Sequence, residues 1–208
     1  MAQNLLQQIK QGCESLGLSL TDEQQVKLQR YVELLVKWNK VYNLTSVRDP
    51  SEMVNRHVLD SLTLLPYLEG DSLLDVGTGA GLPGIPIAIA FPEIAVTLLD
   101  TNSKKTRFLQ QAKAELGLNN VTVVHARVEE ATLPKFAMVT ARAFATIKDI
   151  IDLTGRHCDD AGSLLLMKGV RPDDELEAIG GGFKLHDVVT LDVPECDGQR
   201  HLVRIVKG

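Results

Sequence analysis

Aromatic side chains are scarce in this 208-residue chain: one Trp, three Tyr and five Phe make up 4% of it. With a formal net charge of -5 as well, the composition carries no overall mark of nucleic-acid binding. Cysteine is scarcer still. Cys13, Cys158 and Cys196 are odd in number, far apart and form no CxxC pair, which excludes a disulfide framework and a cysteine zinc site. His125, His157, His186 and His201 are scattered without ligand spacing, so no metal centre is expected. No apolar run approaches the roughly 20 residues of a membrane helix. The start, MAQNLLQQIKQG, lacks the basic-then-apolar pattern of a secretory signal. A cytoplasmic protein without a membrane partner is the expectation. What is present, 44% hydrophobic and 24% charged residues, is the ordinary balance of a folded protein. The length fits one domain with a small appendage.

The negative charge is unevenly placed. Residues 171–197 hold eight acidic residues against Arg171 and Lys184, a net of -6, which leaves +1 for the rest. Basic residues cluster in that remainder: Lys37, Lys40, Arg48 and Arg56; Lys104, Lys105 and Arg107; Arg200, His201, Arg204 and Lys207. Taken singly, each cluster reads first as a solvated face. A total charge does not describe the field at a cleft. The acidic total is therefore compatible with an anionic substrate, provided that 171–197 lies away from the cleft.

Residues 1–68 read as helix only, an extension packed on a main domain at 69–208. Asn4 to Leu16 is amphipathic, and Thr21-Asp22-Glu23-Gln24 has capping-box spacing ahead of Leu28, Tyr31, Val32, Leu35 and Trp38 at helical intervals. A third helix is expected from Ser51 to before Pro66. From residue 72 short apolar runs alternate with helical segments, which predicts a parallel sheet covered on both faces. The strands are Ser72–Val76, Ala95–Leu99, Val121–His125, Ala137–Ala141 and Ser163–Met167. The helices are Pro83–Ala90, Ser103–Leu116, Thr146–His157 and Asp173–Ile179, with a short turn near Glu129. Two last strands, Lys184–Val193 and His201–Lys207, are joined by a connector too short for a crossover helix, so they run antiparallel. The expectation is a seven-stranded α/β fold ending in a hairpin.

The strongest local signal is LLDVGTGAGLPGIPIAIA, residues 73–90. A strand runs into Gly77-Thr78-Gly79-Ala80-Gly81, and Pro83 suits a first helical turn. Two nucleotides compete for it. Gly79 to Gly84 matches the dinucleotide GxGxxG pattern, but starts three residues past the strand and contains Pro83. The GxGxG phase at Gly77 follows the strand directly, behind Asp75. A carboxylate there is awkward for a pyrophosphate but suits the sulfonium and ammonium of S-adenosylmethionine. Asp100 ends the second strand, where an acid can grip the ribose hydroxyls of either nucleotide.

Several separated motifs then agree in order: WNKVYNLT at 38–45, HVLDSL at 57–62, LDVGTGAGLPGIPIAI at 74–89, RVEE at 127–130, ARAF at 141–144 and MKG at 167–169. Over about residues 28–170 the chain resembles the bacterial small-subunit ribosomal RNA methyltransferase G family, also called glucose-inhibited division protein B. The resemblance implies a class I S-adenosylmethionine-dependent methyltransferase fold, Rossmann-like, seven-stranded and with the last strand antiparallel. It implies methylation of N7 of guanine 527, in the 530 loop of 16S rRNA, on naked rRNA or the 30S ribosomal subunit. Cofactor contacts are implied at Gly77, Leu82, Asp100, Val128, Glu129 and Arg142. A monomer is expected. The residues alone leave open a methyltransferase of another substrate, or a non-catalytic ribosome assembly factor.

Guanine N7 bears a lone pair and no proton, so methyl transfer requires in-line orientation rather than a general base. No catalytic base is expected. His57, Asp60 and Ser61 share a helix face but cannot converge as a triad, and read as capping or packing. Arg142 and Lys168, each near a strand's C-terminal end, are candidates for positioning substrate. Lys40, Asn43 and Arg56, in a lip at 37–57, are further candidates for RNA contact, as is Lys168. Trp38 reads as core rather than as a stacking platform.

Overall fold

The computed structural model describes residues 2–142 and 145–208; of the ARAF motif, Ala143 and Phe144 lie outside them. Helix α1 (Ala2–Ser15) leads into α2 (Asp22–Tyr42). Thr21 and Gln24 close the expected capping box, the Thr21 hydroxyl accepting from Gln24 N–H and the Gln24 side chain from Thr21 N–H. Asn43 ends α2 in a left-handed conformation (φ 50°).

The third helical segment differs from expectation. It begins at α3 (Pro50–Met53), capped by Asp49, widens through Val54–Leu59 into turns bonded five residues apart, and tightens again in α4 (Asp60–Leu62). Such widened turns insert a residue and re-aim the side chains that follow. Pro66, expected beyond the helix, lies in a short turn at Leu65–Tyr67.

The sheet comprises β1 (Ser72–Val76), β2 (Ala95–Asp100), β3 (Val121–His125), β4 (Phe136–Arg142), β5 (Cys158–Lys168), β6 (Phe183–Thr190) and β7 (His201–Lys207). Their spatial order is β3-β2-β1-β4-β5-β7-β6. The first five are parallel, and β7 runs antiparallel between β5 and β6. Between them lie α5 (Gly84–Ala90), α6 (Ser103–Leu116), α7 (Ile147–Thr154) and the single turn α8 (Asp173–Leu176). β5 starts at Cys158 rather than Ser163, because Phe136 and Met138 pair across an irregular register.

Apolar clusters cover both faces. One holds Leu74, Val139, Ile147, Ile151 and Leu166 under α7. The other runs without a break from Leu5 and Leu28 through Leu62, Leu98 and Phe108 to Leu202. The helices before residue 69 are therefore built into the core of the sheet. Trp38 packs on Phe108, with ring centroids 5.7 Å apart, as its spacing suggested. Cys13 and Cys158 are buried free thiols. Among the described residues, no helix is long and apolar enough to cross a membrane and no metal-binding group of side chains occurs.

Candidate active site

Parallel strands place their C-terminal ends along one edge, where such sheets bind ligands. At the end of β1 the chain turns through Gly77 (φ 65°) and Gly79 (φ 62°), a conformation glycine adopts without a Cβ penalty. Gly77 N–H donates to Leu99 O (2.9 Å), docking the turn onto β2. The Tyr31 hydroxyl reaches across from α2 to donate to Ala80 O (2.8 Å), so the N-terminal extension pins the glycine loop.

Asp75 departs from the expectation drawn from charge. Its carboxylate is fully buried and turned into its own loop, where Oδ2 accepts from the Thr78 hydroxyl (2.6 Å) and Gly84 N–H (2.9 Å). Burial pushes its pKa up to about 6, against the lowering effect of those two bonds. It fastens the loop rather than presenting a free negative charge to a ligand's cationic centre. Its Oδ1 is buried without a partner.

Asp100 ends β2 as expected, 5% exposed. Gly79 N–H donates to its Oδ2 (2.9 Å), Asn102 N–H to its Oδ1 (2.8 Å), and Lys105 Nζ lies 3.6 Å away. Each carboxylate oxygen accepts two hydrogen bonds, so capacity remains for ribose hydroxyls. Beyond β3, Val128 is buried and its carbonyl accepts from Arg156. Glu129 is exposed; its own backbone N–H and neighbouring Arg127 hold its carboxyl below the usual range. Leu82 is 3% exposed, within the core, and its N–H donates to Thr78 O (2.9 Å). Exposed Gly77, half-buried Gly79 and buried Asp100 thus meet at the C-terminal ends of β1 and β2.

A cavity of about 320 Å³ lies at the ends of β4 and β5, lined by Thr45, Arg56, His57, Asp60, Arg142, Lys168, Arg200 and His201 among others. Arg142 donates to Asp60 Oδ2 (3.2 Å) and Arg200 to Asp60 Oδ1 (3.0 Å). Asp60 is thus an ion-pair hub instead of a cap, while Ser61 does bond locally, to His57 O. His57 Nδ1 faces Arg56 O and Nε2 faces the Thr45 hydroxyl (2.8 Å). Burial, then the Arg142 charge, brings the His57 pKa down to about 4, so it is neutral at pH 7.

Of the expected RNA contacts, Arg56 and Lys168 line this cavity, whereas exposed Lys40 and Asn43 lie outside it, at the end of α2. Asn43 Oδ1 accepts from Arg48. Lys168 is tied down: its Nζ donates to Ala145 O (3.0 Å) and pairs with Glu175 (2.9 Å). Glu175 belongs to the acidic segment, and Leu191 of the same segment lines the cavity. The condition that 171–197 lie away from the cleft is therefore not met. Its first turn neutralises Lys168, because α8 folds directly back over the end of β5. Arg200, Asp60 and Tyr31 lay within recognised motifs or clusters, but no local spacing announced that they meet other segments.

The family model described as GidB, rRNA small subunit methyltransferase G, matches residues 24–203. The chain is 50% identical over 207 residues to the Ribosomal RNA small subunit methyltransferase G of Ectopseudomonas mendocina, covering 98% of this chain and 96% of that one. It is 52% identical over 201 residues to the protein of the same name from Stutzerimonas stutzeri, covering 95% and 93%. Among solved structures, the glycopeptide N-methyltransferase MtfA complexed with S-adenosyl-L-methionine superposes with a TM-score of 0.64 at 12% identity, over 73% of this chain and 87% of that one. TrmN from Thermus thermophilus superposes at 0.60 with 18% identity, over 71% and 48%. The fold is thus that of the class I methyltransferases, and the chain belongs to the rRNA small subunit methyltransferase G family.

Proposed function

We propose that this protein transfers a methyl group from S-adenosylmethionine to N7 of a guanine in 16S rRNA, guanine 527 of the 530 loop. The observation that carries the reading is the adjacency of two sites on one strand edge: the glycine loop with Asp100, and the arginine-lined cavity beside it. The near-full-length likeness to proteins named for small-subunit rRNA supports the substrate. Bound S-adenosylmethionine supplies a methyl carbon activated by a positively charged sulfur. Asp100 would hold the ribose, Gly77 and Leu82 would lie on the amino-acid side, and Val128 and Glu129 would lie beside the adenine. Guanine N7 already carries the lone pair that would accept the methyl group, so the chain's own residues would have only to bind and orient the two partners. Guanine N7 carries no proton that must be removed, so the reading assigns no residue the role of a general base.

Arg142 orients the reacting groups, Lys168 holds its wall of the cavity, and Lys40, Asn43 and Arg56 contact the RNA around it. The helical stretch 1–68 acts as one unit with the catalytic domain 69–208, in a cytoplasmic monomer. Incubating the protein with labelled cofactor and either naked 16S rRNA or 30S subunits, then mapping the product, tests the reading. The expected result is one N7-methylguanine in the 530 loop; methylation elsewhere, or none on either RNA, overturns it.

A further inference from the structure

We infer that Arg142 and Arg200, joined through Asp60, form a clamp for one backbone phosphate beside the guanine being methylated. This rests on the rRNA-methyltransferase reading above. Three distant segments meet there: α4 supplies Asp60, the end of β4 supplies Arg142, and the β6–β7 connector supplies Arg200. The Asp60 side chain is 3% exposed, yet the two arginines keep 27% and 24% of theirs open toward the cavity. One carboxylate shared by two guanidiniums leaves a net charge of +1. It also fixes both planar groups, so little freedom is lost when they bind.

Neighbouring charges are already cancelled. Lys168 is paired with Glu175, and Arg56 lies 3.7 Å from Glu52. The surplus positive charge of the cavity thus sits on the clamp. Hydrogen-bonding capacity remains there too. Among the described residues Arg142 donates only through Nη1 to Asp60. Arg200 uses Nε on Asp60, one Nη1 hydrogen on Gln199 O, and a long contact from Nη2 to Cys196 Sγ.

The chemistry selects phosphate over base. A guanidinium fork normally reads guanine through O6 and N7 together. Here N7 must keep its lone pair free to attack carbon, so a fork on that edge would block the reaction. A backbone phosphate accepts the same two-pronged donation without touching the nucleophile.

The test compares wild type, R200Q and R200K on 16S rRNA in a salt series, with cofactor affinity followed by thermal shift. Losing one phosphate contact should flatten the slope of log affinity against log salt by about 1. R200Q should also raise KM for RNA about tenfold while leaving KM for the cofactor unchanged. R200K, which keeps the charge, should retain the slope. An unchanged slope and RNA KM in folded R200Q overturns the clamp. So does R200K as defective as R200Q, which marks a base-reading fork. Should R200Q fail to fold, ethylation interference on wild-type complexes decides: interference at a phosphate flanking the methylated guanine is expected, and its absence overturns the clamp. Wild-type protein that methylates no RNA at all refutes the proposed function instead, whatever the state of Arg200.

Discussion

The two halves of the strand edge are held together by different means. Around the glycine loop most fastenings are donated by backbone N–H groups within one βαβ unit, Gly77 to Leu99, Gly79 to Asp100 and Gly84 to Asp75. The Tyr31 hydroxyl on Ala80 comes from a distant segment. Around the cavity they are side-chain ion pairs between segments 82 and 140 residues apart, Arg142 and Arg200 on Asp60. The first kind is written largely into contiguous sequence and depends little on pairs of opposite charges. The second is assembled only by the tertiary fold and carries charge into the site. On the proposed reading, a cofactor common to many enzymes is met by the more locally encoded half, and a particular substrate by the half that the whole fold must assemble.

The sharpest way to break this contrast is Arg142→Ala. It should lower turnover by about 10²-fold, as misplacement of a reacting group does, while cofactor affinity falls far less. Single-turnover assays and ligand-induced melting shifts check it, and equal loss of both would erase the division of labour. Gly84→Ala attacks the other half, because a Cβ there would stand 2.2 Å from Leu98 Cδ2 and 2.8 Å from Asp75 Oδ2. Overpacking of this kind costs about 1–3 kcal/mol, readable in urea melts, and the loss should be independent of salt. Asp60→Asn should cost about 1–2 kcal/mol, less than the ~3–5 kcal/mol of a fully buried broken pair, since both arginines retain solvent contact. Unlike the Gly84 variant, it should become less destabilised as salt screens the two guanidiniums from each other.

The smallest effect is a pH dependence. Asp75, raised to about 6, binds its proton more tightly folded than unfolded, so its contribution to stability falls as pH rises from about 4 to 6. His57, lowered to about 4, binds its proton less tightly folded, so its contribution rises from about pH 4 to 6.5. One residue from each half therefore opposes the other over the same window. Denaturant melts of His57→Asn should show stability declining between pH 4 and 6 more steeply than in wild type. A parallel profile would mean that the two halves are not balanced in this way.

Legibility in the sequence follows the same division. The capping box at Thr21, the strands β1 to β4 and the glycine turn were readable because each depends on neighbours a few residues apart. The fate of Asp75 was not, since whether a carboxylate faces a ligand or its own loop depends on side-chain direction. Asp60 was visible only as part of a helix face, because the widened turns at Val54–Leu59 that set its direction leave no compositional trace. The place of the acidic segment was not readable for a related reason. Net charge located Glu175 in a run, but only the return of α8 over β5 brings it to Lys168.

The position of β7 has a consequence for the order in which the protein can be built. Because β7 separates β5 from β6, β6 has no neighbour in the sheet until residues 201–207 have been made. Until then β5 is an open edge, with the apolar run Leu164–Met167 offering unpaired backbone to any passing strand. A chain interrupted shortly before residue 201 would lack more than one strand. It would carry one orphaned strand, β6, an open edge on β5 and an Asp60 deprived of Arg200, so such interrupted chains should aggregate rather than persist as partly working molecules.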